Sequence, residues 1–178
     1  MELYIAGGVG EHGRNCFYLQ NGEDAILVDC GLMADSDDPQ PRLTENQIRK
    51  LKAVFLTHSH ADHTGALPWL LRQGYTGPII STTPTLQQLP FIVQNAVALE
   101  QVAPRNEKCN GITWGLSGHC AGSVWLKLDW DGKAILFSGD YTEQSAVYPC
   151  DVLRHQVADL AVLDCAYGHD STLWNDSV

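Results

Sequence analysis

Residues 53–65 read Ala53-Val-Phe-Leu-Thr-His-Ser-His-Ala-Asp-His-Thr-Gly65, and this stretch decides the fold. An apolar run with the character of a buried strand opens directly onto four ligand-type side chains, His58, His60, Asp62 and His63. His58 and His60 are two apart, so along an extended chain both imidazoles point the same way. Asp62 and His63, past the bend, can face a second metal nearby. Imidazole with carboxylate suits zinc, and such a donor set also accepts manganese or iron. Three histidines and an aspartate packed this closely behind a buried strand do not read as an ordinary polar loop.

Two later segments repeat the design of an apolar strand ending at a ligand. Ser117-Gly-His-Cys-Ala-Gly-Ser123 offers His119 among small residues that allow close approach, and Ala134-Ile-Leu-Phe-Ser-Gly-Asp140 ends a strand on Asp140. Alone, each reads as a turn. Following the histidine run in this order, they read as further ligands.

Outward from these segments, short apolar runs bounded by Gly, Asp or Asn predict strands at residues 3–6, 16–19, 25–30, 53–57, 78–81, 111–115, 124–130, 134–138 and 160–165. Asn21-Gly22 and Asp131-Gly132 separate adjacent runs as hairpin turns. Helical spacing predicts helices over 65–72 and 85–101, with Leu86, Leu89, Val93, Val97 and Leu99 sharing a face of the second. Pro90 falls early in that helix, where proline is best tolerated. A weaker helix is expected over 152–157, and residues 32–43 form a loop. Strands with a few helices between them imply an α+β arrangement of packed sheets with helices outside, one domain over residues 1–178.

The 178 residues are 44% hydrophobic and 18% charged, a composition able to build a core. The net charge of -10, from 11 Lys+Arg against 21 Asp+Glu, supplies no basic patch of the kind nucleic-acid binders present. No signal-peptide pattern opens the chain, and no run approaches the roughly 18 apolar residues of a membrane helix. The expectation is a cytoplasmic protein without membrane association. The six cysteines include no CxxC pair and are expected as reduced thiols; Cys120, beside His119, is the one to watch as ligand or oxidation site. Arg14 and Lys133 read as solvated, His12 as a loop residue, His155 as a helix-surface residue, and the five tryptophans as core or rim aromatics.

The order His-x-His-x-Asp-His, then Gly-His-x-x-Gly-Ser, then a strand ending Ser-Gly-Asp resembles the motif set of the metallo-β-lactamase superfamily. Gly7-Gly-Val-Gly-Glu-His-Gly-Arg-Asn-Cys16, His63-Thr-Gly-Ala-Leu-Pro68 and Ile135-Leu-Phe-Ser-Gly-Asp140 are phrased as in its β-CASP nuclease branch, which includes RNase J and the pre-mRNA 3′-end endonuclease. Asp164-Cys-Ala-Tyr-Gly168 falls where that branch carries an acidic residue before Ser-Thr-Tyr-Gly. The resemblance implies an αββα sandwich with the site at one edge. By it, His58, His60 and His119 would hold one zinc ion, Asp62 and His63 a second, and Asp140 would bridge them. Asp29, closing Ile26-Leu-Val-Asp-Cys-Gly31, would buttress the metal loop, and Asp164 would support the site through a hydrogen bond. The metals would acidify a shared water for attack on phosphorus or a carbonyl carbon, with Asp62 orienting it.

The branch continues past the acidic motif with a cap domain and further histidines, whereas this sequence stops at Val178, so the cap is expected to be absent and the second zinc site incomplete. His169, directly after Tyr167-Gly168, is the candidate substitute ligand; otherwise water, a partner subunit or nothing fills that position. Three functions remain open. One is a phosphodiesterase acting on RNA or DNA. Another is a hydrolase of a small thioester, lactone or cyclic phosphodiester. The third is a non-catalytic metal-binding module. A homo-oligomer or a partner protein would complete the site.

Overall fold

Alternation along β2 (Cys16–Asn21) sets the layering, because Cys16 and Tyr18 enter one buried cluster while Phe17 and Leu19 enter another. The split recurs in β3 (Asp24–Val28), with Leu27 against Val28, and in β4 (Leu51–Phe55), with Val54 against Phe55. In this computed structural model, which describes residues 1–166, these strands join β1 (Glu2–Gly7), β5 (Ile79–Ser81) and β6 (Ala96–Ala98) in a six-stranded sheet. Its order is β1-β2-β3-β4-β5-β6, antiparallel from β1 to β3 and parallel from β3 onward. A second sheet, in the order β10-β9-β8-β7, contains β7 (Ile112–Leu116), β8 (Val124–Trp130), β9 (Lys133–Phe137) and β10 (Leu160–Val162).

The two sheets meet face to face. Phe17, Leu19, Val28 and Phe55 from the first pack with Trp114, Leu126, Ile135 and Phe137 from the second, and the rings of Phe17 and Phe137 lie 5.7 Å apart. The outer face of the first sheet is covered by α1 (Glu45–Lys50) through Ile48 and by α3 (Leu67–Arg72) through Leu67 and Leu70. On the far face of the second sheet an irregular segment, residues 141–159, does the covering. Its carbonyl at Asp151 accepts the indole N–H of fully buried Trp125 at 3.0 Å, and Gln156 accepts from Lys127 at 3.0 Å.

Three local expectations change. Residues 85–101 do not form one helix: α4 (Thr83–Gln88) stops before Pro90, which disfavours helical geometry at Leu89 (φ -62°, ψ 132°). The apolar residues beyond it serve other elements, Val97 in β6 and Leu99 in α5 (Leu99–Val102). Residues 152–157 form no helix and show only a turn at Arg154 and His155, with His155 exposed. Unforeseen α1 starts at a reciprocal cap in which Thr44 and Gln47 satisfy each other's backbone N–H groups. Both hairpins form. Asn21 pairs with Asp24 around Gly22-Glu23, and Trp130 pairs with Lys133 around Asp131 and Gly132, whose φ values of 52° and 71° suit the type I′ turn. Among the described residues no helix is long and apolar enough to cross a membrane.

Candidate metal centre

The donors arrive from both sheets at one edge of the sandwich. His58 lies just past the end of β4, and His60 is the residue preceding the short helix α2 (Ala61–Thr64), which carries Asp62 and His63. His119 stands in the turn between β7 and β8, and Asp140 follows β9. His58, His60, His119 and Asp140 each offer one donor atom, all within 4.8 Å of one another.

Hydrogen bonds outside this group select which nitrogens face it. Thr57 donates its hydroxyl to Asp29 Oδ2 (2.9 Å) and is therefore an acceptor for Nδ1 of His58 (3.1 Å), which turns Nε2 of His58 inward. That Nε2 lies 3.1 Å from Nδ1 of His60, and Nε2 of His119 lies 3.1 Å from the same atom. With the Nδ1 proton of His58 committed to Thr57, a single proton on the nitrogens that meet here serves only one of the two contacts, which leaves lone pairs turned toward one another. Donors bound at about 2.0–2.1 Å in a tetrahedron are separated by about 3.3 Å, so the group fits a divalent cation.

A second set adjoins the first. Asp29 is 1% exposed and 2.7 Å from Nδ1 of His63, which leaves Nε2 facing Asp140 Oδ1 (3.2 Å) and Asp62 Oδ2 (3.6 Å). Asp140 thus divides its carboxylate, because its Oδ2 faces His119 (3.4 Å) and His58 (3.8 Å).

Charge is partitioned sharply between neighbouring imidazoles. Burial, reinforced by the positive charge on His63, drives His58 down to about 2 and keeps it neutral. Burial also opposes charge on His63, but the carboxylates of Asp29 and Asp140 outweigh it and raise that group to about 10. Asp140 resists burial through the hydrogen bond and charge of His63 and stays below the usual carboxylate range. His119 is lowered, chiefly by burial. The carboxylates therefore demand positive charge at the position of His63, and a cation on its Nε2 satisfies them as a proton does.

Asp164 lies outside the donor group. It is exposed, accepts weakly from the Tyr141 N–H (3.4 Å), and donates its own N–H to Ser138 Oγ (2.7 Å), so it braces the chain on either side of Asp140. His169 lies outside the described residues. Asn15 was missed: its amide is 3.0 Å from Nε2 of His63, and its N–H donates to the carbonyl of Asp62 at 2.8 Å. The signal was its place in the Gly-rich stretch 7–16. Thr57, inside the decisive stretch itself, was missed too. Arg14 is a correction: it is 3% exposed, not solvated, and pairs with Glu11 (2.6 Å) and Asp38 (3.2 Å) to fasten the Gly-rich loop.

The family model of the metallo-β-lactamase superfamily matches residues 9–178, and the chain belongs to that superfamily, a hydrolase fold whose domain binds divalent metal. Among particular relatives, transcription termination factor FttA of Methanothermobacter thermautotrophicus is 30% identical over 204 residues, 93% of this chain and 31% of the relative. A ribonuclease of Thermus thermophilus is 25% identical over 190 residues, 94% of this chain and 44% of the relative. The chain therefore spans between about a third and somewhat under half of these relatives' length. The metallo-β-lactamase fold protein YhfI from Bacillus subtilis superposes with a TM-score of 0.56 at 17% identity, covering 77% of this chain and 61% of that one, a likeness of fold.

Proposed function

We propose that this chain is a di-zinc hydrolase that cleaves phosphodiester bonds of RNA or DNA. The observation that carries the reading is the divided carboxylate of Asp140, with three imidazole nitrogens on one side and the Asp62–His63 pair on the other. A ribonuclease among the relatives supports the choice of substrate. His58, His60, His119 and Asp140 would hold the first cation, and Asp62, His63 and Asp140 the second, with manganese or iron as alternative occupants. Divalent metal held there supplies Lewis acidity, acidifying water and steadying charge on a substrate oxygen.

The chain's own groups do the rest. Asp29 fixes the orientation of His63, and Thr57 that of His58. Asp62 is partly exposed beside the donors and free to orient a water and take its proton. Asp164 holds the backbone that presents Asp140. With a net charge of -10, the attraction of these residues for a phosphate backbone is weak, so the reading calls for a basic surface from elsewhere, such as a partner protein or a second copy.

A second reading rests on a cavity of about 580 Å³ beside the His119 turn, walled by Pro84, Trp114, Leu116, Cys120 and Tyr148. That volume suits a small molecule, and a thioester, lactone or cyclic phosphodiester would meet the same site. The test is metal content per chain together with turnover of labelled single-stranded RNA and DNA, for the natural chain and His60→Ala. Two metals with oligonucleotide cleavage, both lost in His60→Ala, is the expected result. Turnover of small esters alone would favour the second reading. Cleavage surviving in His60→Ala would overturn the mechanism.

A further inference from the structure

The turn carrying His119 is held from outside by one short helix. Within the turn, Ser123 closes the loop on itself: its hydroxyl donates to the carbonyl of Cys120 (2.8 Å) and accepts the N–H of Cys120 (3.0 Å). Across the site edge, the carbonyl of Gly122 accepts two hydroxyls, from Thr82 (2.7 Å), which caps α4, and from Thr85 (3.0 Å) within it. Gln88, at the other end of α4, donates to the carbonyl of Ala121 (2.8 Å) and lies 3.4 Å from the hydroxyl of Ser59, between His58 and His60. Both threonines are buried, at 2% and 0% exposure. The fit is close, since a Cβ at Gly122 would come within 2.7 Å of Thr82 Oγ1 and 2.8 Å of the Thr85 nitrogen.

We propose that Thr82 and Thr85 are positioning residues for the metal centre, their hydroxyls fixing the His119 turn against the His58–His60 pair. In the turn, the carbonyl of Gly122 is bound by these two hydroxyls and that of Ala121 by Gln88. A carbonyl that accepts two buried hydroxyls has both lone pairs used, which defines its direction as well as its distance. His119, three residues earlier, inherits that placement. The role rests on the donor group being a metal site and is independent of which substrate is cleaved.

Cobalt(II) titration of the metal-free protein tests it, because visible absorption reports donor geometry and the titration gives affinity. Thr85→Val keeps the shape and removes the hydroxyl, while Thr85→Ser keeps the hydroxyl. The expected result is a dissociation constant raised by about tenfold or more in Thr85→Val, with an altered cobalt spectrum, and within about twofold of the natural chain in Thr85→Ser. Unfolding midpoints of the metal-free forms separate positioning from general destabilisation. Should Thr85→Val not fold, Gln88→Leu at the exposed end of α4 removes the Ala121 bond and weakens cobalt binding in the same direction. Unchanged affinity and spectrum in the folded variants, or equal losses in Thr85→Val and Thr85→Ser, overturns the positioning role. A natural chain that binds no cobalt overturns the metal reading and this role together.

Discussion

The buried carboxylate of Asp29 lies 2.7 Å from Nδ1 of His63 and also accepts the backbone N–H of Thr57 at 2.8 Å. One side chain thus ties the end of β3 to both ends of the metal loop. Asp29→Ala strips the Thr57 N–H, the Thr57 hydroxyl and Nδ1 of His63 of their shared acceptor and leaves the imidazole charge with Asp140 and Asp62 on its Nε2 side alone. Breaking such a buried pair costs about 3–5 kcal/mol. Asp29 also adopts φ 61°, where alanine is strained, so the loss should fall at the upper end. Urea denaturation of the metal-free variant measures it; a loss under half the lower bound would show that the network is not structural.

Gly31 is sterically committed. A Cβ there would stand 1.7 Å from the carbonyl oxygen of Asp62 and 2.6 Å from the nitrogen of Asn15, both backbone atoms that cannot swing aside. Gly31→Ala should destabilise the chain by about 1–3 kcal/mol or more. Because the clash pushes on α2, metal content should fall with it. Gly22, with no heavy atom within 4 Å of its built Cβ, is the control, and Gly22→Asn should leave metal content unchanged. Equal metal content in Gly31→Ala and the natural chain would contradict the tight loop contact.

Acid should weaken the pair that fastens the Gly-rich loop. The hydrogen bond from Arg14 holds Glu11 down at about 2, from an ordinary 4.5. A carboxyl depressed on folding adds stability that is complete above the unfolded value and lost as pH falls through the folded one. The window is therefore pH 4.5 down to 2. Unfolding midpoints recorded across it should fall less steeply for Glu11→Gln than for the natural chain; parallel curves would exclude the pair as the source.

Asp140 addresses both donor sets, one oxygen toward His63 and the other toward His119. Asp140→Ala should weaken divalent-metal affinity by at least the roughly 10–100-fold that loss of an outer partner costs. Metal per chain after dialysis should drop to one or none. His155→Ala, on the exposed turn, should change neither. Full occupancy in Asp140→Ala would remove the aspartate from the centre.

The decisive stretch was legible because its chemistry is local: a strand, a bend and four donors lie within a dozen residues. His119 and Asp140 were legible only through their order, since each alone resembles a turn. What failed were segments whose fate is set from afar. Val97 and Leu99 carry helical spacing, yet β6 exists because β5 offers it a parallel edge, and Pro90 had already stopped α4. The polar spacing of Thr82 and Thr85 gives no hint that both hydroxyls meet Gly122. Residues 152–157 are placed by contacts far along the chain, the Asp151 carbonyl just before them on Trp125 and Gln156 on Lys127. Arg14 looked solvated because its partners include Asp38, twenty-four positions away. The cap of α1 was a readable local signal, Thr44 followed by Gln47, that passed unread.

The donors come half from one layer and half from the other: His58 and His60 hang from the first sheet, His119 and Asp140 from the second. Neither layer alone presents the full set, so the affinity for a cation exists only once the layers have docked. Mass action then links supply to persistence: a ligand at a hundred times its dissociation constant adds about 2.7 kcal/mol to the docked state. Chelation would remove that contribution and leave the two layers more open to proteases.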